Sequence, residues 1–315
     1  MDMIEVHNLT KYYGPVAALK DVSFTVKKGE VLGFLGPNGA GKTTTMSILT
    51  CLFPPTEGNA RVAGYDVFDE PIKVKEHIGY MPENISIYTD MIVSDYLSFV
   101  AELKGVPSKR IKKDVDKAIA ATELENVAHR GIGKLSRGYL QRVGIAQALM
   151  GDPPVLILDE PTIGLDPMQI IAIRKLIEAL AGERTIILCS HILPEVSQVC
   201  ERVIIINRGE LVAVDTPGNL QKRLITTDRL KAVVSGSKSK VEKTISQISG
   251  VREVTAGEDS PVGTAYHVML EPQAEIRAEI ARAIVGGGFD LMELRGEDVT
   301  LEEIFINLVT EEREV

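Results

Sequence analysis

Two short stretches carry the residue types that phosphate chemistry requires. The first is Gly36-Pro37-Asn38-Gly39-Ala40-Gly41-Lys42-Thr43. An apolar run, Val31 to Leu35, delivers the chain to it, and a helical pattern from Thr44 to Leu52 leaves it. Backbone N–H groups would therefore converge on an anion at a helix N-terminus. Glycine at 36, 39 and 41 lets the backbone curl around phosphate oxygens without a Cβ in the way. Lys42 would bridge terminal phosphates, and the Thr43 hydroxyl would ligate Mg²⁺. The second stretch is Val155-Leu156-Ile157-Leu158-Asp159-Glu160, an apolar run ending in two carboxylates. It reads as a buried parallel strand with its acids at the C-terminal edge, where ligands of open α/β sheets bind. Asp159 would hold Mg²⁺ through water, and Glu160 would take a proton from an attacking water.

Five further positions could serve the same chemistry. Tyr13 precedes Gly14-Pro15, where an aromatic can stack on a base for roughly 1–3 kcal/mol. Glu83 follows Pro82 at a strand-to-helix junction; alone it reads equally as a solvated loop acid. Ser136 opens Leu135-Ser136-Arg137-Gly138-Tyr139 before a small-residue helix, either as an ordinary N-cap or, with the Gly138 N–H, as a second anion site. Asp166, before Pro167, is well placed as an N-cap with proline at the first helical position. His191 is the only one of five histidines to fall just past the end of a strand of the nucleotide sheet, Thr185 to Cys189. It is a candidate γ-phosphate contact beside the bland reading of a structural histidine.

The elements that must position these groups can be read from periodicity. Ile4 to Leu9, Val22 to Val26 and Ala60 to Val62 alternate apolar with polar residues, predicting an antiparallel layer beside the nucleotide site. Residues 85–150 read as almost wholly helical, with Ile111, Val115, Ala118 and Ile119 on one face and the basic cluster Lys109, Arg110, Lys112 and Lys113 on a wet one. Val203 to Ile206 and Leu211 to Val214 predict a hairpin ending a domain of residues 1–217. Residues 218–228 read as a linker. Residues 229–315 then run strand, helix, strand, strand, helix, strand, the order of a split-βαβ sandwich of ferredoxin-like type. Leu301, Ile304, Phe305 and Leu308 predict a closing helix.

Composition narrows the function classes. The 315 residues are 44% hydrophobic and 25% charged, as in an ordinary globular protein. The net charge of −9 argues against nucleic acid as a partner, because neutralising phosphates needs clustered Lys and Arg. No run reaches the eighteen or so apolar residues of a membrane span, and no secretory leader is visible. Cys51, Cys189 and Cys200 are odd in number without C-x-x-C spacing, which fits a reducing compartment and offers no metal site. A cytoplasmic site of action is expected.

Taken in order, Tyr13, the Gly36–Thr43 loop, Glu83, Leu135–Tyr139, Asp159-Glu160, Gly164–Asp166 and His191 resemble the ATP-binding subunit of an ABC transporter, from Ile4 to about Pro217. The C-terminal half, with Thr300-Leu301-Glu302-Glu303-Ile304-Phe305, resembles the extension on ATPase subunits of exporters that pair with a separate permease. The resemblance implies a P-loop NTPase fold: a RecA-like, mainly parallel sheet core, an antiparallel β layer and a helical subdomain, followed by a small ferredoxin-like domain. It implies ATP and Mg²⁺ as cofactors, with Gly36, Pro37, Asn38, Gly39, Ala40, Gly41, Lys42, Thr43, Thr44, Tyr13 and Asp159 in the nucleotide site and Thr43, Glu83 and Asp159 around the metal. It implies a homodimer in which Ser136 and Gly138 complete the partner's site, Asp166 reaches across the interface, His191 senses the γ-phosphate, and Glu83 links the metal to the permease. The subunit would sit peripherally on the inner face of the cell membrane. Two positions depart from the family's pattern: Glu83 stands where glutamine is usual, and Arg137 and Tyr139 stand in a motif that commonly reads L-S-G-G-Q. A glutamate lacks the N–H donors of glutamine. A soluble ABC ATPase acting on ribosomes or nucleic acid is the alternative.

Overall fold

A computed structural model of the chain describes residues 1–224, 229–271, 274 and 276–296. The chain divides into two compact units, Met1–Pro217 and Gly218–Val315. In the first, β1 (Asp2–Tyr13) and β2 (Val16–Lys27) form a long hairpin, and β3 (Val31–Leu35) leads through the glycine-rich loop to α1 (Lys42–Leu49). There follow β4 (Glu57–Val62), β5 (Tyr65–Asp66), α2 (Pro71–His77) and β6 (Ile78–Met81). Three helices come next, α3 (Val93–Leu103), α4 (Ser108–Ala121) and α5 (Arg137–Leu149). The unit continues with β7 (Val155–Asp159), α6 (Pro167–Leu180), β8 (Thr185–Ser190), α7 (Leu193–Ser197), β9 (Arg202–Asn207) and β10 (Glu210–Asp215).

Six of these strands form one sheet in the order β10-β9-β3-β8-β7-β6, parallel throughout except for the β9–β10 hairpin. The central strands β3, β7 and β8 are buried at every position, as their unbroken apolar sequence demands of strands covered on both faces. Side chains alternate between those faces. Leu32, Phe34, Ile157, Ile187 and Ile204 join α1 and a second, antiparallel sheet of order β2-β1-β4-β5 in one core, where Phe24 of that sheet meets Phe34 at 5.5 Å between ring centroids. On the other face, Gly33 and Gly79 leave room for α7 and α5: a Cβ at Gly33 would lie 2.1 Å from Val196 Cγ1, and one at Gly79 1.9 Å from the Ala148 carbonyl oxygen.

Several expected boundaries move. The hairpin strands are each twelve residues long, because their polar outer positions continue to pair after the apolar alternation has faded. Helix α1 ends at Leu49 rather than Leu52; Cys51 has φ 58°, a left-handed conformation that ends a helix. The stretch read as a linker is helical over α8 (Pro217–Leu224), a helix started by a proline at its first position.

In the second unit β11 (Arg229–Ser235), α9 (Lys238–Ser246), β12 (Val251–Ser260), β13 (Gly263–Leu270), α10 (Arg277–Gly286) and β14 (Asp290–Gly296) form an antiparallel sheet of order β12-β13-β11-β14 with two helices. This is the ferredoxin-like order expected. Ala232, Val234, Tyr266 and Val268 of the sheet close a core with Val241, Ile245, Ile280 and Ile284 of the helices. The predicted closing helix at 301–308 lies outside the described residues.

Candidate functional site

Register places the chemistry. Leu35 pairs with Ser190, Cys189 with Asp159, and Leu158 with Met81. Four adjacent parallel strands thus end at one edge, and the loops after them carry Gly36–Lys42, His191, Glu160 and Glu83 side by side. Within the first loop Gly39 has φ 78° and Gly41 φ 110°, conformations that side chains with a Cβ rarely adopt. Gly41 has a second reason to be glycine, since a Cβ there would lie 2.8 Å from the Ala18 carbonyl oxygen.

Lys42 is only 6% exposed. Its ammonium donates to the Gly36 carbonyl at 2.7 Å and the Pro37 carbonyl at 3.3 Å, and stands 3.7 Å from Glu160 Oε1. Glu160 is 4% exposed and has φ 51°, strain that the surrounding structure must hold. Its N–H donates to the Cys189 carbonyl at 3.0 Å. The carboxylate accepts from His191 Nδ1–H, 2.9 Å from Oε2 and 3.0 Å from Oε1. The expected base and the expected phosphate sensor are therefore direct neighbours, with the lysine of the phosphate loop on the other side of the carboxylate.

Asp159 is 1% exposed, and neither carboxylate oxygen makes a hydrogen bond of sound geometry. Burial, the Glu160 charge and the Glu83 charge raise its pKa to about 6, while Lys42 and the nearby Thr43 hydroxyl pull the other way. Two buried, unsatisfied acceptor atoms are costly unless something donates to or coordinates them. Oxygen ligands from a carboxylate and a threonine hydroxyl suit Mg²⁺, which keeps several of its waters. The residues present thus fit the metal, which Thr43 and Asp159 would hold. Glu83 is exposed, yet its charge reaches both Asp159 and Tyr80, so it belongs to the same edge.

The remaining expected residues form another surface. Ser136 is the N-cap residue of α5, but its side chain makes no capping bond, so the ordinary reading of a capping serine fails and the hydroxyl is available. Gly138 is buried against Gln169, whose Oε1 would lie 2.6 Å from a Cβ there. The Gln169 N–H in turn donates to Asp166 Oδ1 at 2.9 Å, making Asp166 the N-cap of α6 as its sequence context predicted. No hydrogen bond or ion pair among the described residues joins Ser136, Gly138 or Asp166 to the phosphate loop. Tyr13 is 46% exposed. It meets Phe53 edge-on at 6.4 Å, with the Lys11 ammonium 5.4 Å from its ring centroid.

Sequence reasoning gave no structural role to three residues of this region. Arg137 lies over Gly164: a Cβ at Gly164 would meet the guanidinium at 2.5 Å, and Gly164 has φ 70°. Thr162 donates to Glu195, tying the loop after Glu160 to α7. Tyr80, half-buried in β6, has its hydroxyl pKa raised by burial and then by Asp159. The departure of Arg137 from the family's motif was a signal for the first; nothing local marks the other two, whose partners lie 33 and 79 residues away in the chain.

Comparison with known proteins agrees with this geometry. A family model described as ABC transporter matches residues 19–163. The linearmycin resistance ATP-binding protein LnrL of Bacillus subtilis is 33% identical, over 97% of this chain and 98% of its own length. The bacitracin transport ATP-binding protein BcrA of Bacillus licheniformis is 32% identical, over 98% of this chain and 97% of its own. Among solved structures, cbiO1 of Clostridium perfringens, part of an ABC transporter complex, has a TM-score of 0.65 at 30% identity and covers 71% of this chain and 93% of that one. A dimeric post-hydrolysis ATP-binding cassette with ADP and Pi gives 0.62 at 27% identity, over 68% of this chain and 99% of its own. With relatives matched end to end and the phosphate loop, Asp159 and Glu160 at one sheet edge, the chain belongs to the ABC transporter family as an ATP-binding, ATP-hydrolysing subunit.

Proposed function

We propose that two copies of this chain close head to tail on ATP, and that hydrolysis reopens them to drive a separately encoded membrane permease, as an exporter. The placement of Glu160 carries the reading: a buried carboxylate in a strained backbone, held between Lys42 and His191 and next to the unsatisfied Asp159. The phosphate loop and Lys42 bind the triphosphate, with Thr44 at the start of α1 and Tyr13 against the base. Mg²⁺, held by Thr43 and Asp159 with Glu83 alongside, neutralises charge on the phosphates when bound. Glu160 orients the attacking water and accepts its proton, while His191 fixes the Glu160 carboxylate and contacts the γ-phosphate. The free Ser136 hydroxyl and the Gly138 N–H face the partner's nucleotide, and Asp166 lies at the same contact.

Support for a permease partner comes from a groove of about 540 Å³ between α1, α2, β6 and the end of α3. Leu52, Ile72 and Leu103 line it and are 57%, 67% and 70% exposed, so three large apolar side chains share one groove that a partner would cover. Tyr80 lines the same groove and is electrostatically linked to Asp159 and Glu83, so an occupant there would be felt at the metal site. No helix among the described residues is long and apolar enough to cross a membrane; attachment to the inner face of the cell membrane is through the permease. The names of the linearmycin and bacitracin relatives favour export.

The test is a Glu160→Gln variant saturated with ATP and Mg²⁺. It should run as a dimer in size-exclusion chromatography with light scattering and hydrolyse ATP slowly. A monomer under those conditions, or turnover at the wild-type rate, overturns the reading.

A further inference from the structure

A second cavity, of about 350 Å³, lies between α4, the end of α5, the end of α6 and the turn before β8. It is remote from the nucleotide chemistry. Asp166 and the signature face the first turn of α6, whereas the cavity is lined by Leu176, Ala179 and Leu180 in its last, about 20 Å along a helix of this length. The floor is apolar: Ala118, Leu149, Leu176 and Leu180 are buried. The rim is basic. Arg110, Lys113 and Lys117 follow one another at helical spacing on α4, so they share a face.

The charges around this cavity do not balance locally. Arg110 is paired with Asp114 at 3.3 Å. Lys117 at 3.4 Å and Arg184 at 2.6 Å share the single carboxylate of Asp152. Arg184 is 7% exposed, reaches Glu183 only at 3.4 Å, and its Nε–H has no hydrogen-bond partner. Lys113 makes no hydrogen bond or ion pair among the described residues. Four cations therefore face three carboxylates, in a protein whose net charge is −9.

We propose that this cavity is a binding site for a small amphipathic anion, a carboxylate on a short aliphatic chain. Its hydrocarbon part would replace water over the alanine and leucine floor, where burial of each CH₂ is favourable. The carboxylate would accept charge-assisted hydrogen bonds from Lys113 and one of its neighbours. The apolar floor disfavours an inorganic anion, and the surplus cation disfavours a neutral or cationic guest. The size sits at the lower end for small-molecule clefts. Because α4 belongs to the helical layer and α6 to the sheet layer, one guest would touch both.

Octanoate is the probe, with octanol as its neutral counterpart, titrated into the full chain by calorimetry without nucleotide, so that a failure here leaves the ATPase reading untouched. Octanoate should bind saturably with a dissociation constant of about 1 mM or tighter, given what a ligand of this size can gain per atom, and octanol at least about tenfold more weakly, the worth of one charge-assisted hydrogen bond. Lys113→Glu should weaken octanoate by a similar factor. Ala179→Trp, filling the mouth, should abolish it while ATP turnover continues as evidence of folding. Lys109→Glu, on the same helix but outside the lining, is the control and should leave binding unchanged. Octanol binding as well as octanoate, an equal loss in Lys109→Glu and Lys113→Glu, unchanged binding in Ala179→Trp, or no saturation at all would each overturn the proposal.

Discussion

Glu160 is the candidate base, a side chain in which three constraints meet. Its backbone is left-handed, its carboxylate is almost wholly buried, and its two oxygens are shared between Lys42 and His191. Replacing it by glutamine keeps the shape and removes the proposed proton acceptor, so turnover should fall by roughly 10² to 10⁴ while ATP binding, measured by equilibrium dialysis, persists. Lys42→Ala acts earlier: without the ammonium in the phosphate loop, binding itself should fall by at least about tenfold, the worth of one charge-assisted hydrogen bond, in the same dialysis experiment. The candidacy of these residues was legible in the sequence, because glycine-rich loops and paired acids have few other uses. That His191 is hydrogen-bonded to Glu160 was not, since the two are 31 positions apart and only the neighbouring of β7 and β8 brings them together.

At the scale of elements, close approach between β6 and α5 decides where the helical layer sits. Gly79→Ala would put a Cβ 1.9 Å from the Ala148 carbonyl, and a backbone atom cannot swing aside. The cost should be about 1–3 kcal/mol, read as a fall in the denaturation midpoint, whereas Gly131→Ala, with nothing within 4 Å of the new carbon, should stay within about 0.5 kcal/mol. Lys104, closing α3, gives a pH signature at the same junction. It donates to the Ile78 and Met150 carbonyls at 3.1 Å each, and burial lowers its pKa from 10.5 to about 8. Below about pH 8 both folded and unfolded chains hold the proton. Between the two values the unfolded chain holds a proton that the folded one has released, so stability rises with pH across that window. Urea unfolding at about pH 7.5 and about pH 9.5 should show the wild type gaining relative to Lys104→Met over that interval. The longer helices and strands were visible as periodicity, whereas β5, α2 and α7, of two, seven and five residues, are too short to show one. The ends of elements were less visible: α1 stopped early at a left-handed Cys51, and a helix occupies 217–224 where 218–228 reads as a linker.

For the whole molecule, the groove lined by Leu52, Ile72 and Leu103, proposed above as the permease site, allows partner binding to be tested apart from ATP turnover. Leu52→Asp with Leu103→Asp should leave ATP turnover by the isolated chain within about twofold, since surface changes away from a site are close to neutral. The same pair should abolish co-purification with the permease from membranes. Loss of basal turnover in that variant would mean that the groove supports the nucleotide site rather than a partner. The sequence by itself determined the family, the candidate residues and the long strands and helices, because local spacing dictates turn geometry and apolar periodicity dictates which faces are buried. The tertiary structure alone decided which of those residues are neighbours. The Lys42–Glu160–His191 cluster, the stranded carboxylate of Asp159, the Arg137 guanidinium laid over Gly164 and the basic cavity beside α4 all depend on strand order and helix packing, and no pattern along the chain encodes the distance between residues that meet only across it.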